Sequence, residues 1–353
     1  VAPTFSAARS LLERAVAERA FPAAVVEVGT AHHPLWREAF GKLSFEPHAP
    51  LATDDTYFDL ASLTKVIATT PLMMKIIERG AVGLDDAVSM HVTSWRNDHD
   101  VPPVTIRDLL AHCSGLPAHL PLFREHAGRA AFEQAICRTS LAYEPRSKSV
   151  YSDLGFMLLG FILEDIAPLP VQFDTLMQQM GGIQDLQFHP AESWRTKVAP
   201  TRRDDWRGRL LIAEVDDDNA WALGGAAGHA GLFGAAQSVG ECARHLLQIL
   251  EGRRGVFQQE TLRTFVTRRA DVPGSSRALG WDTMLPTSSC GTRLSPLAFG
   301  HVGFTGTSLW IDPESAVYVV LLTNRVHPTP DNDAIKKVRP ALHDAVMEEL
   351  EKK

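Results

Sequence analysis

The stretch DLASLTKV at 59 to 66 sets Ser62 and Lys65 three residues apart among Leu60, Ala61, Leu63, Val66 and Ile67. If a helix begins at Ser62, positions i and i+3 share a face and the amine approaches the hydroxyl. Burial among apolar side chains favours an uncharged lysine and lowers its pKa. A neutral amine beside a hydroxyl is a general base for a serine nucleophile. A helix start also favours negative charge developing there. The same pattern fits an N-cap serine followed by a snorkelling lysine. About one Ser-x-x-Lys match arises by chance in a chain of this size. Pro71, in the same helical run, is irregular for a helix interior.

Two further stretches carry residues of the right type. YSDLGF at 151 to 156 puts Tyr151 and Asp153 two apart. The tyrosine hydroxyl could relay a proton, and Asp153 could hydrogen-bond Lys65 or a substrate amide. The structural alternative is a core tyrosine and a helix-capping aspartate. GHVGFTGTSLWIDP at 300 to 313 places His301 and the glycines Gly300, Gly303 and Gly306 along a strand edge. Glycines there let a substrate backbone approach closely. The alternative is a glycine-bulged strand with a surface histidine.

These residues must be positioned by the elements around them. Apolar spacing predicts a helix over 4 to 19, then strands AAVVEVGT and LWREAFG joined by a turn at HHP. From about 62 to 170 the pattern is mostly helical, with one run ending at the C-capping Gly80 and TIRDLLAHCSGLP stopped by Ser-Gly and Pro117. Loop signals dominate from there to about 220. SLWIDPE and AVYVVLLTN read as two strands, and 331 to 353 as an amphipathic helix with a break or kink at Pro340. Strands and helices segregate rather than alternate, which predicts an α+β fold. Residues 1–61 and 205–353 would supply an antiparallel sheet with flanking helices. Residues 62–204 would form a mainly helical insert, with the site between the two.

Bulk properties exclude several classes. The net charge is −7, so no basic surface recommends nucleic acid. RRDDWRGR at 202 to 209 reads as solvated surface, and NDHD at 97 to 100 as exposed loop. Cys113, Cys137, Cys242 and Cys290 form no CxxC pair and no disulfide framework; they read as buried free thiols. EVDDDNA at 214 to 220 lacks the glycine and distal glutamate of a calcium loop. No metal and no cofactor is therefore implied. His112 and His229 read as structural histidines. No apolar run approaches the ~20 residues needed to span a bilayer. The opening VAPTFSAARSLLERA shows no signal peptide, so the protein is either cytoplasmic or a mature exported form without its leader. Oligomeric state is not legible.

Taken together, Ser62-x-x-Lys65, Tyr151-Ser-Asp153 and His301-Val-Gly303 resemble the three-motif set of the penicillin-recognising serine hydrolases. The tyrosine-bearing middle motif and the long spacings are similar to class C β-lactamases, D-alanyl-D-alanine carboxypeptidases and family VIII esterases. TIRDLLAHCSGLP resembles the LLTHTSGLP segment of that group, ALGGAAGHAGLFGAAQSVGECARHL its GxAGLFSTAxDLARF segment, and VVLLTNRVHP its closing strand. The resemblance covers about residues 5 to 350. It implies that Ser62 is the nucleophile and that Lys65 and Tyr151 share the base work. It implies an oxyanion hole at the Ser62 and Phe304 N–H groups, and substrate contacts from Asp153, His301, Gly303, Asn324 and Arg325. By the same resemblance Asp217 and Asn219 line a rim. Three departures stand out. Asp153 replaces the commoner asparagine, His301 a lysine and Val302 a threonine. They add a negative charge, make a positive charge pH-dependent and remove a hydroxyl. These changes weigh against efficient β-lactam hydrolysis and leave acyl transfer intact.

The sequence thus predicts a serine hydrolase acting through an acyl-enzyme on a D-Ala-terminated peptide, a β-lactam or a small ester. The rivals are a β-lactam- or muropeptide-binding module with little turnover, and an interaction domain that keeps only the fold.

Overall fold

A computed structural model of the chain describes residues 3–95 and 102–352. The stretch read as exposed loop at 97 to 100 lies outside them. Six antiparallel strands make the main sheet. Their spatial order is Pro34–Gly41, Ala23–Thr30, Val317–Thr323, Ser308–Asp312, Phe299–Val302, Asp282–Thr283. The two chain ends meet where Val25 lies opposite Leu322 and Val28 opposite Val319.

The period of two along each strand decides which helices cover the sheet. Ala24, Val26, Val28, Val319 and Leu321 face the helices Ser6–Ala17 and Ile335–Glu351. Ala23, Val25, Val320 and Leu322 face the opposite core, which includes the helix Ala236–Leu250. Glu27 falls on this second face and is fully buried. It accepts hydrogen bonds from Tyr318 Oη and Arg37 Nε, both at 2.6 Å, and from Arg244 at 3.2 Å. A buried carboxylate needs such partners. Gly240 lets the helix close over it, since a Cβ there would lie 2.0 Å from Glu27 Oε1.

A second sheet joins Phe58–Asp59, Leu232–Gly234 and Leu186–Phe188. It links segments from both sides of the expected 204/205 boundary and carries the chain into Ser62. Two expectations are corrected. Leu169–Gln179 is a helix, not loop. Pro168 and Pro170 look like loop punctuation, but proline is tolerated where a helix's first N–H groups have no partner anyway. The helix Ile335–Glu351 runs through Pro340 without a break. The carbonyl deprived of its donor belongs to the exposed Lys336, where water can serve it. All four cysteines are free and buried. Among the described residues, no single helix is long and apolar enough to cross a membrane.

Candidate active site

Ser62 sits on a sharp turn out of the second sheet. Ala61, just before it, has φ 47°, a left-handed conformation that costs a non-glycine residue about 1–3 kcal/mol. The Asp59 carboxylate accepts the Ala61 N–H at 2.8 Å, and Leu63 N–H bonds Leu60 O at 3.0 Å. Lys65 N–H donates to Ser62 O at 3.1 Å, and the two side chains meet with Lys65 Nζ 3.0 Å from Ser62 Oγ. From Lys65 to Thr69 the helix is of the π type, and Thr70 N–H reaches back to Lys65 O. This accounts for Pro71. In a continuous α-helix its ring would strike the carbonyl of Ile67. The π segment instead places it in the first turn of the helix Thr70–Glu78.

The second motif arrives on a helix start. Ser152, not Asp153, is the N-cap of Asp153–Glu164, and its backbone N–H donates to His112 Nδ1 at 3.0 Å. His112 also packs its ring 4.7 Å from that of Tyr151. Tyr151 Oη lies 2.7 Å from Ser62 Oγ, and Asp153 Oδ1 lies 2.8 Å from Lys65 Nζ. Lys65 is completely buried and donates also to His229 O at 3.0 Å. That carbonyl reaches it because Gly160 and Gly228 touch backbone to backbone. A Cβ on Gly228 would sit 2.1 Å from Phe156 O.

The electrostatics differ from the sequence-based expectation. Burial alone pushes the Lys65 ammonium towards neutrality, but the adjacent Asp153 carboxylate outweighs it, and the pKa is raised. Burial likewise pushes Asp153 up, but the Lys65 charge holds its carboxyl well below the usual range. The N-terminus of the helix favours the same ionised form. At neutral pH the pair is therefore ammonium and carboxylate. Burial raises the Tyr151 phenol against the opposing pull of Lys65, so it stays protonated.

Two cavities open on Ser62. One, of 390 Å³, is lined by Tyr151, Asp153, Phe123, Asp217 and Phe304. The other, of 290 Å³, is lined by Tyr151, His301, Gly303, Phe304, by four basic residues, Arg277, Arg325, Lys336 and Arg339, and by one carboxylate, Asp282, 3.9 Å from Arg277. Neither the Ser62 nor the Phe304 N–H has an acceptor among the described residues. Arg325 Nε donates to Phe304 O at 2.8 Å and so fixes that peptide. Gly303 must be glycine, because a Cβ would lie 2.1 Å from Thr307 Oγ1 and 2.7 Å from Leu60 O.

Other candidate residues are placed differently. His301 lines the basic cavity but is not a cation. Burial, with Arg277 and Lys65 nearby, drives its pKa well below the usual value. His301→Gln is therefore expected to leave the pH profile between about 6 and 8 unchanged; losing an inflection there would return the charge to His301. Asn324 does not reach either cavity. Its amide donates to Leu43 O and Pro200 O, both at 2.9 Å, and accepts from Ala23 N–H at 3.1 Å. Asp217 lines the larger cavity and bonds His229 Nε2 at 2.8 Å. Asn219 is buried and instead ties Leu120 and Phe123 in place. His112 and His229 have structural partners.

Sequence reasoning missed Arg277 and Arg339. Arg277 carries no motif, but its guanidinium lies 5.2 Å from the Tyr151 ring centroid. Arg339 did leave a signal, since it falls on the stripe Ile335, Arg339, Leu342, Val346 that the last helix buries. Its guanidinium donates to Gly303 O and Thr307 O at 2.8 and 2.9 Å, and burial pushes its pKa down to about 10. Among the described residues no group of His, Cys, Asp or Glu side chains could hold a metal ion.

The family model described as Beta-lactamase matches residues 8–342. The chain belongs to the beta-lactamase family. This is a family of serine hydrolases that includes β-lactamases, carboxypeptidases and esterases. A relative from Salmonella gallinarum (strain 287/91 / NCTC 13346), named "Putative D-alanyl-D-alanine carboxypeptidase", is 31% identical over 329 residues, covering 82% of this chain and 74% of its own. Solved structures share the fold of this family member. "EstCE1, a hydrolase with promiscuous acyltransferase activity" superposes with a TM-score of 0.77 at 23% identity, covering 97% of both chains. A penicillin-binding protein homologue from Caulobacter crescentus superposes with a TM-score of 0.76 at 19% identity, covering 99% of this chain and 98% of that one.

Proposed function

We propose that this family member is a serine hydrolase working through an acyl-enzyme at Ser62, on D-Ala-terminated peptides, β-lactams or small esters. The observation that carries the reading is Ser62 Oγ held between Tyr151 Oη at 2.7 Å and Lys65 Nζ at 3.0 Å, where two cavities meet. The acyl part of a substrate occupies the larger cavity and the leaving part the basic one. In the state where Lys65 has lost its proton, its amine takes the Ser62 proton as Oγ bonds the carbonyl carbon. The carbonyl oxygen gains charge and is received by the Ser62 and Phe304 N–H groups. Such a donor supplies about 2.7–4 kcal/mol. As the bond to the leaving group breaks, Tyr151 supplies that group's proton and takes one back from the Lys65 ammonium across their hydrogen bond, so that Lys65 is again a free amine. Water then repeats the sequence on the ester, and Ser62 is freed. Arg277, Arg325, Lys336 and Arg339 favour a leaving group that carries a carboxylate, as a terminal D-alanine does. The relative named as a carboxypeptidase supports that choice.

The test is intact-protein mass against time with benzylpenicillin, a D-Ala-D-Ala peptide and p-nitrophenyl acetate, reading small products in the same runs. An acyl adduct mapped to Ser62, or turnover of any of the three that Ser62→Ala loses, supports the reading. No adduct and no turnover with all three would end it.

A further inference from the structure

Asp59 lies directly under the nucleophile turn, 2% exposed. Its Oδ1 accepts Ala61 N–H at 2.8 Å, and its Oδ2 accepts Asp216 N–H at 2.7 Å. Its own carbonyl oxygen accepts the Thr305 hydroxyl at 2.7 Å, and the next carbonyl, of Leu60, accepts the Thr307 hydroxyl at 3.0 Å. One residue thus bonds three segments. These are the turn that presents Ser62, the loop that leads into Asp217, and the turn that presents the Phe304 N–H. The bond to Ala61 also opposes the strain of its left-handed conformation.

We propose that Asp59 is a positioning residue whose ionised carboxylate holds the Ser62 turn in attacking geometry and whose protonation releases it. The proposal rests on Ser62 being the nucleophile. An ionised carboxylate only accepts, so both oxygens can serve backbone N–H groups. A neutral carboxyl must donate one O–H, and one of those N–H groups then loses its acceptor. The groups facing Asp59 are acidic. Asp216 and Asp217 approach from the 214 to 218 loop, with Arg202 3.7 Å from Asp216 and His229 2.8 Å from Asp217. The strand Leu232–Gly234 and the turn from Gly303 to Thr307 contain no titratable side chain. Lys65, on the nucleophile's own segment, is spent on Asp153. Asp59 has no cation within ion-pair distance among the described residues. Burial first, and Asp216 second, push its carboxyl up to about 7. The group is therefore ionised above neutrality and protonated below it, and the competent geometry belongs to the higher pH.

The experiment is the rate of Ser62 labelling by an uncharged fluorophosphonate between about pH 5.5 and 8.5, in wild type, Asp59→Asn and His119→Ala. His119 is another group beside Ser62 whose charge can change near neutrality. It is half-exposed, 3.7 Å from Asp153, and has a raised pKa set first by Asp153. In wild type an extra step of about tenfold, centred near pH 7, should lie on the steady rise that Lys65 deprotonation imposes. Asp59→Asn should keep the steady rise, lose the step and label about tenfold more slowly above pH 7. His119→Ala should retain the step. A labelled wild type without a step, a step kept by Asp59→Asn, or a step lost in His119→Ala overturns the proposal. If Asp59→Asn does not fold, the wild-type and His119→Ala profiles still decide. A wild type in which Ser62 is never labelled refutes the nucleophile itself, and Asp59's role with it.

Discussion

Lys65→Arg is expected to slow acylation of Ser62 by about 10²–10⁴-fold while the protein still folds. Arginine keeps a positive charge opposite Asp153 but cannot release a proton at any working pH. The variant therefore separates two roles, charge partner and base. Lys65 is completely buried and touches Ser62 Oγ, Asp153 and His229 O. The longer guanidinium must be fitted into that space, at about 1–3 kcal/mol of stability. Single-turnover acylation by p-nitrophenyl acetate, with a melting curve on the same sample, measures both effects. Adding Ser62→Ala should make Lys65→Arg no worse than Ser62→Ala alone, because groups that act as a unit are not additive. Wild-type acylation in a folded Lys65→Arg protein would remove Lys65 from the mechanism.

Asp153→Asn should shift the pH dependence of acylation towards acid. Asp153 is what raises the Lys65 pKa against burial. Without it, a buried and unpaired ammonium is costly, and Lys65 sheds its proton instead. The neutral fraction at pH 7 grows about tenfold for each pKa unit lost, offset in part because a weaker base transfers the proton less well. Stability responds with the opposite sign. The Asp153 carboxyl is held below its unfolded value, so the ion pair stabilises the fold above the unfolded carboxyl pKa of about 3.9 and that contribution fades as pH falls below it. Asp153→Asn should flatten that acid limb of stability. Acylation and melting profiles against pH check both, and an unmoved kinetic limb would show that Lys65 is not the base.

The residue that departs from the commoner asparagine leaves the hydrogen-bonding geometry possible and changes the charge state of its neighbour. At neutral pH Lys65 rests as the ammonium, so acylation that uses its free amine is expected to be favoured by alkali. The basic cavity follows a similar logic. With His301 held neutral by burial, the basic side chains of the smaller cavity are Arg277, Arg325, Lys336 and Arg339, with Asp282 beside them.

Local pattern by itself determined a good deal of this protein. Near-continuous apolar runs marked the strands at 23 to 30 and 317 to 323, because a strand buried on both faces needs apolar side chains on each. Spacing of three brought Ser62 and Lys65 to one side of the chain, and a polar pair before an apolar helix marked Tyr151 and Asp153. The tertiary structure decided everything that depends on residues far apart in sequence. The charge of Lys65 could not be read from its apolar neighbours, because its partner is Asp153 and the sign of the shift is a contest between burial and that ion. His301 sits where a cation was expected, but only packing shows it to be enclosed. Asn324 is a polar residue at the end of a strand, and only the fold shows its amide already used by Leu43, Pro200 and Ala23. Arg339 lies 36 residues from Gly303 in sequence, and only the packing of the last helix brings its guanidinium to that carbonyl. Periodicity reports which way a side chain faces. What it meets is fixed by long-range packing, and that sets its charge and its role.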